Sequence, residues 1–459
     1  MNIEHLVKSQ KQKFYRDETL SIDFRRDKLQ KLKELIIENE SELMDAVKKD
    51  FGKSQFEVLS TEISILLAEI KTAQKNLKLW MRPKRVKNFI FNIPSRNYVS
   101  NVPRGVSLII GAWNYPIQLL LAPAIASIAA GNTVILKPSE LAINTSNLIS
   151  QLIPKYFESD YMAVVEGDGS VCQELISQDL DMIFFTGSSQ VGSKIMESAS
   201  KFLTPVVLEL GGKSPCIVDS DKNLKLTCEK IAFGKFVNAG QTCVAPDYIL
   251  INEGLKNKFI DEMKKVIKNF YNNSVESSDY ARIINERHFQ RLKRLLDNQN
   301  ILLGGEVDEA SRYISPTLID SPCLSDPIMN EEIFGPILPI ITYKDVNECI
   351  ELIRSKTPPL ALYLFTNDNK LKESFFRKVL AGGMCINETI VHLANDHLPF
   401  GGVKNSGIGN YHGEYGMKAF SHQKAILDKP SWFNLPIRQP PYTKRNFKLL
   451  NYLIKLLYH

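Results

Sequence analysis

The sequence predicts an α/β fold in which two parallel sheets are covered by helices, and three observations carry that expectation. From Val106 onward, short β-prone runs alternate with segments of helical length, as units of strand, helix and parallel strand require. A second series of the same kind begins after Gly212. With 459 residues, 44% of them hydrophobic, the chain is too long for one ordinary core, so two or more domains sharing a large interface are expected.

In order, the first eighty residues read as polar amphipathic helices. Leu29, Leu32, Leu35 and Ile36 share a face in one, and Leu59, Ile63, Leu66, Leu67 and Ile70 in another. A basic connector at residues 82–87 leads to FIFNIPSRNYVSNVPRG, a β-prone stretch suited to an edge or protruding strand. Residues 105–136 carry no charge, yet Gly111, Asn114, Pro116, Pro123, Gly131 and Asn132 interrupt them. That pattern predicts a buried strand, loop, helix and strand rather than a membrane span. VSLII, TVILK, MAVVEG, DMIFFTG and PVVLEL are the strands expected in the first sheet, and YILI, ILPIITY, LALYLF and MCINET those in the second. Ligands of open parallel sheets bind beyond the carboxyl ends of strands, so the chemistry is expected in the loops that follow them. The last stretch, TKRNFKLLNYLIKLLYH, reads as a basic amphipathic helix. Lys448, Asn451, Lys455 and His459 fall on one face and Leu449, Leu450, Leu453, Leu456 and Leu457 on the remainder.

Composition excludes several classes of function. Charged residues make up 24% of the chain, the net charge is +6, and no long run of one sign suggests a nucleic-acid arm or a disordered tail. Seven cysteines without paired spacing argue against a disulfide framework and for a reducing compartment. There is no CxxC or HExxH and the histidines are scattered, so no metal site is expected from ligand spacing. The opening MNIEHLVKSQKQKFYRDE mixes charges of both signs and lacks an apolar core, which predicts a cytoplasmic protein without a secretory leader.

Four segments carry residues suited to chemistry. In FVNAGQTCVAP, Cys243 lies among small residues between Gly240 and Pro246, a setting for an accessible thiol. Taken singly, a lone cysteine is more often a small buried hydrophobe. LELGGKSP puts Glu209 at the end of a β-run, where a partly desolvated carboxylate can activate water; a salt bridge or helix cap is the plainer alternative. PRGVSLIIGAWNYP runs from a strand into Asn114, whose amide can donate to an oxyanion or merely close a turn. TVILKPSE and FFTGSSQVG resemble cofactor loops without being GxGxxG. Lys137 and Glu140 can reach ribose or phosphate oxygens in the first, and Gly187 and Gly192 flank a strand-to-helix turn in the second.

Together these residues resemble the aldehyde dehydrogenase superfamily over most of the chain, from about Leu29 to about Lys424. LELGGKSP and FVNAGQTC are similar to its two active-site signatures, at the same separation of 34 residues. GAWNYP, LKPSE, FFTGSSQVG, EEIFGPI and PFGGVKNSGIG follow the family's order. The forms IIGAWNYP and PFGGVKNSGIG look most like class 3, the fatty-aldehyde and aromatic-aldehyde branch, and the length also resembles bacterial carotenoid-pathway members.

The resemblance implies an α/β fold made of a Rossmann-like cofactor domain (1–85 and 103–210), an α/β catalytic domain (211–400) and a small β oligomerisation arm (86–102 and 413–430), with the amphipathic tail at 431–459. It implies a homodimer, an aldehyde substrate and relaxed use of NAD or NADP. The implied roles are Cys243 as nucleophile, Glu209 as general base, and Asn114 with the Cys243 N–H as oxyanion hole. Lys137 and Glu140 would hold the adenosine ribose. Thr186, Gly187, Ser188, Ser189, Gln190, Val191 and Gly192 would shape the pyrophosphate site, with Trp113 and Leu210 beside the cofactor. Glu332 and Phe334 would position the nicotinamide ribose and ring. The CoA-acylating enzymes and a non-catalytic homologue are the alternatives, and Glu209 favours water over a thiol as the acceptor of the thioester. The tail adds a peripheral contact with an anionic membrane face, or packing on the protein or a partner subunit.

Overall fold

A computed structural model describes residues 2–220, 222–271 and 275–458. The chain divides into two compact units, one formed by Met1–Trp80 with Pro103–His422 and the other by Met81–Val102 with Gln423–His459.

In the larger unit, Val106–Ile110, Thr133–Lys137, Met162–Val164, Met182–Thr186 and Val206–Glu209 form a parallel sheet. Their spatial order is third, second, first, fourth, fifth, and the short strand Gly407–Ile408 runs antiparallel beside the fifth. This is the dinucleotide-fold order, in which the first and fourth strands carry the chain away in opposite directions and leave a crevice beyond their carboxyl ends. Val106–Ile110 and Met182–Thr186 are buried along their whole length, as a sheet covered on both faces demands and as their mainly apolar, uncharged runs foretold. The uncharged stretch is the expected buried unit: its helix, Gln118–Ala130, is buried on every side and ends at Gly131 with φ 94°. Among the described residues no helix is long and apolar enough to cross a membrane.

A second sheet holds, in spatial order, Ile301–Leu303, Thr317–Asp320, Ile337–Tyr343, Tyr248–Asn252, Pro215–Val218, Ala361–Phe365 and Gly383–Ile386, all parallel except the first pair. Pro215–Val218, in its middle, is too short a run to stand out in the sequence. Only residues 210–214 join the carboxyl end of the last parallel strand of the first sheet to the amino end of Pro215–Val218. The carboxyl edge of one sheet therefore adjoins the amino edge of the other. This corrects the expectation that chemistry sits only after strands, because Cys243 lies in the loop before Tyr248–Asn252, at the amino edge of its sheet.

The second N-terminal helix also departs from its expected spacing. Gln55–Val58 passes through a π-turn, Leu59–Ile63, into Ser64–Met81. The wider turn rotates what precedes it, so Leu59 is 38% exposed while Ile63, Leu66 and Ile70 are buried.

The smaller unit holds the helix Lys444–Tyr458 and most of a three-stranded sheet ordered Lys84–Val86, Arg96–Pro103, Ser421–Asp428. On that helix Leu449, Tyr452 and Leu456 are exposed, as are Lys448 and Lys455. His459, placed by the sequence on its polar face, lies outside the described residues.

Candidate active site

After the helix Leu224–Phe236 the chain turns through three consecutive left-handed residues, Asn238 (φ 57°), Ala239 (φ 50°) and Gly240 (φ 74°). A side chain at 240 would lie 2.3 Å from the Gly335 carbonyl oxygen, so glycine lets the EEIFGPI loop pack on this turn. The non-glycine residues each cost about 1 kcal/mol in this region, and identifiable bonds hold them there. Gln241 Nε2 donates to the carbonyls of Asn238 and Arg282, both at 3.0 Å, while its Oε1 accepts from the Ile284 N–H at 3.0 Å. Asn238 Nδ2 donates to the carbonyls of Asn114 at 2.8 Å and Gln241 at 3.1 Å. Asn114 Nδ2 in turn donates to the Gln241 carbonyl at 3.0 Å. The oxyanion candidate and the cysteine loop are thus one hydrogen-bonded body, and the second Nδ2 hydrogen of Asn114 remains to serve an acceptor.

Cys243 is half-buried at the end of this loop. Burial pushes its thiol up to about 12, the carboxylates of Glu332 and Glu209 add to the rise, and the backbone N–H groups of Cys243 and Val244 oppose it. Glu209, 3% exposed, has neither carboxylate oxygen paired among the described residues, and burial holds its carboxyl well above the usual range. Thr186 stands opposite Glu209 on the adjacent strand, and its buried hydroxyl is unpaired as well. Unpaired buried polar groups cost about 1–3 kcal/mol each. Two side by side at strand ends mark a surface built to receive a ligand or a water molecule.

Two cavities lie among the loops that carry these residues. One, of about 800 Å3 with its mouth included, contains Cys243 and is walled mainly by apolar groups, among them Ile65, Leu119, Phe233, Val391 and Phe400. The other, of about 890 Å3 with its mouth included, is polar and is lined by Ser189, Gly211, Gly212, Lys356, Asn405 and Glu332.

The polar cavity opens at the amino end of the helix Ser189–Ala199, where Ser188 caps by accepting from the Val191 N–H at 3.4 Å and Gln190 and Val191 are exposed. Gly187 and Gly192 are places of close approach: a side chain would lie 2.4 Å from the Phe185 ring at the first and 2.7 Å from Leu210 at the second. Gly211 likewise makes room for the Glu332 carboxylate, which burial pushes up to about 8. Trp113 and Phe334 meet edge to face, ring centroids 5.5 Å apart. Lys137 and Glu140 stand apart from this cluster as an ion pair of their own at 2.5 Å, at the end of the strand next to Val106–Ile110.

Several residues of the site have no motif. Tyr115 donates or accepts at Thr242 Oγ1, 2.7 Å away, and Tyr411 and His412 line the apolar cavity. The sequence offered a signal only for Tyr115, which adjoins Asn114 within GAWNYP.

A model of the aldehyde dehydrogenase family matches residues 1–426. Over 456 residues the chain is 44% identical to the 4,4'-diaponeurosporen-aldehyde dehydrogenase of Staphylococcus aureus (strain NCTC 8325 / PS 47), covering 99% of each protein. It is 42% identical over 429 residues to a Rattus norvegicus protein named aldehyde dehydrogenase, dimeric NADP-preferring, covering 93% of this chain and 95% of that one. A solved structure described as the substrate-bound state of Staphylococcus aureus AldH superposes with a TM-score of 0.96 at 44% identity, covering 99% of this chain and 100% of that one. The cavity at Cys243, the Glu209 carboxylate whose charge acts on that thiol and the Asn114 amide bonded to the cysteine loop, together with these likenesses, lead to one conclusion: the chain belongs to the aldehyde dehydrogenase family and is an NAD(P)-dependent oxidoreductase acting on aldehydes.

Proposed function

We propose that the enzyme oxidises a long apolar aldehyde to its carboxylate through a thioester on Cys243. The observation that carries this reading is that Cys243 lies in an apolar cavity while Glu209 and Thr186 present unpaired oxygens at the carboxyl edge of the neighbouring sheet.

The polar cleft fits a dinucleotide on three counts: a helix amino terminus capped by Ser188, glycines at 187 and 192 against which the Phe185 ring and Leu210 pack closely, and the Glu332 carboxylate by Gly211, an acceptor for ribose hydroxyls. Thr186, Gly187, Ser188, Ser189, Gln190, Val191 and Gly192 would surround the pyrophosphate and Leu210 the ring's flank. Glu332 and Phe334, with Trp113 packed on Phe334, would hold the nicotinamide end, and Lys137 and Glu140 the adenosine ribose. When bound, the oxidised dinucleotide accepts the hydride. Relaxed use of NAD and NADP accords with Glu140 being partly exposed and free to yield Lys137 to a phosphate.

The chain's own groups do the rest. The Cys243 thiol passes its proton to solvent water, and the thiolate attacks the carbonyl carbon, moving the carbonyl electron pair onto oxygen. The free Asn114 N–H and the Cys243 backbone N–H donate to that oxyanion. Its collapse expels the hydride and leaves a thioester. Glu209, its pKa raised by burial and thus a stronger base once ionised, takes a proton from water. The hydroxide oxygen bonds to the acyl carbon, the C–S bond breaks, and the acid departs from the regenerated thiolate. Glu209→Gln is expected to retain a burst of about one NADH per active site and to lose steady turnover by roughly a hundredfold or more. Wild-type steady turnover would sink the base assignment.

The apolar cavity walls support a long apolar substrate, and the relative named for a diaponeurosporen aldehyde accords with it. A panel of short aliphatic, long aliphatic, aromatic and polyene aldehydes with both cofactors tests this, and best efficiency on a short polar aldehyde would refute it. We further propose a homodimer, in line with the relative named dimeric, and contact between an anionic bilayer and the exposed basic helix Lys444–Tyr458. Deleting the residues after Lys444 should abolish binding to phosphatidylserine vesicles; unchanged binding would remove the membrane role.

A further inference from the structure

Lys53 and Glu62 form an ion pair at 2.9 Å with both side chains fully buried. Burying two charges is expensive, and well-packed apolar side chains commonly replace such a pair without loss of stability. Its partners indicate a geometric task. One Glu62 oxygen accepts from Lys53, and the other accepts from the N–H groups of Ile117 at 3.0 Å and Gln118 at 3.2 Å. These N–H groups open the helix Gln118–Ala130, whose own N-cap position, Ile117, supplies no side-chain acceptor. Glu62 is therefore that helix's cap, delivered from a remote part of the chain.

The same pair grips the residue after Asn114. The Lys53 ammonium lies 3.8 Å from the centroid of the Tyr115 ring, and the Tyr115 hydroxyl meets Thr242 Oγ1 next to Cys243. The second carboxylate of this segment, Glu57, accepts from the N–H of Asn238, the first of the left-handed residues in the cysteine loop. Residues 53–62 thus touch both sides of the Asn114 and Cys243 junction: the helix start and aromatic ring that follow Asn114, and the turn that precedes Cys243.

We propose that Lys53 and Glu62 are positioning residues, which hold the Asn114 amide at the distance from Cys243 that the oxyanion requires. This rests on the reading of Asn114 as an oxyanion donor. A packing role alone would lower thermal stability and leave turnover of the folded enzyme intact. A positioning role acts through Asn114 and must disappear when that amide is gone.

The test is a double-mutant cycle on the full-length enzyme with a long aliphatic aldehyde and NAD. Glu62→Gln is combined with Asn114→Ala, and Lys53→Met/Glu62→Gln serves as a second version that removes both charges while keeping an acceptor oxygen for the two N–H groups. Thermal melts establish folding, and kcat, KM and the pre-steady-state NADH burst rate are measured. The expected result is a loss of about ten- to a hundredfold in kcat and in burst rate, with KM changed by less than about twofold. In the Asn114→Ala background the same substitutions should cost less than about twofold more. Wild-type kcat in the folded paired variant, or an equal loss in both backgrounds, overturns the proposal. Wild-type kcat in Asn114→Ala alone would instead overturn the site reading on which it rests.

Discussion

The apolar cavity that holds Cys243 and the polar cavity beside Gly211 are built in opposite ways. The polar one draws largely on legible motifs, with Ser189 from SSQVG, Gly211, Gly212 and Lys213 after Glu209, and Glu332 from EEIFG, to which residues 355–357 and Asn405 are added. The apolar one collects Ile65, Leu119, Phe233 and Val391 from four distant places, none in a pattern that sets it apart from ordinary core. The difference follows from what each must bind. A phosphate or a ribose is held by backbone N–H groups and placed carboxylates, which need fixed local geometry and so leave a contiguous motif. An alkyl chain asks only for apolar area, which any assembly of side chains supplies.

If that contrast is sound, damage at the junction should far exceed damage in either wall. Asn114→Ala should lower kcat by about a hundredfold, roughly 3 kcal/mol, with little change in KM for either ligand. A rise in KM at constant kcat would move Asn114 from the junction into a wall. The thiol offers a second probe. With its pKa near 12 in the ligand-free enzyme, the reactive thiolate fraction of Cys243 should grow about tenfold per pH unit between pH 7 and 9. Iodoacetamide alkylation followed by mass spectrometry reads this directly, and a flat profile would mean that other groups lower the thiol's pKa.

Within the walls the effects are smaller and separable. Each added methylene of an aliphatic aldehyde should raise kcat/KM about fourfold until the cavity is full, since burying one is worth about 0.8 kcal/mol. Phe233→Ser should flatten that slope without altering the KM for NAD, whereas Glu332→Gln should raise the KM for NAD and leave the slope intact. Any exchange of these two outcomes would break the division between walls. Smallest of all is a stability effect at Glu209. Its folded pKa lies above its unfolded one, so between those values the native state binds more protons and loses stability as pH rises. Glu209→Gln should therefore raise Tm by a few degrees at pH 8, or about 1–3 kcal/mol, and by less at pH 4. An equal shift at both would contradict the raised pKa.

The same contrast explains how far the sequence could be read. Val106–Ile110, Thr133–Lys137 and Ile337–Tyr343 coincide with the β-prone runs that predicted them, because burial on both faces keeps their interiors largely apolar, Ser107 and Thr342 apart. Pro215–Val218 escaped notice because four residues beside a Gly-Gly turn carry too little pattern. Cys243, Glu209 and Asn114 stood out as motifs, yet their convergence depends on Gln241, Asn238, Lys53 and Glu62, polar residues whose partners lie far along the chain. Leu59 was placed on the wrong face for a local reason: a π-turn changes the helical period and leaves no signature in hydrophobic spacing.

The left-handed run at Asn238, Ala239 and Gly240 has one further consequence, for how the enzyme ages on warming. Two of these residues would relax toward ordinary helical angles if Gln241 and Asn238 let go of their carbonyls. That relaxation requires no loss of either sheet, so it has a lower threshold than global melting. Heat inactivation should then set in several degrees below the loss of far-ultraviolet circular dichroism, and early cooling should restore activity.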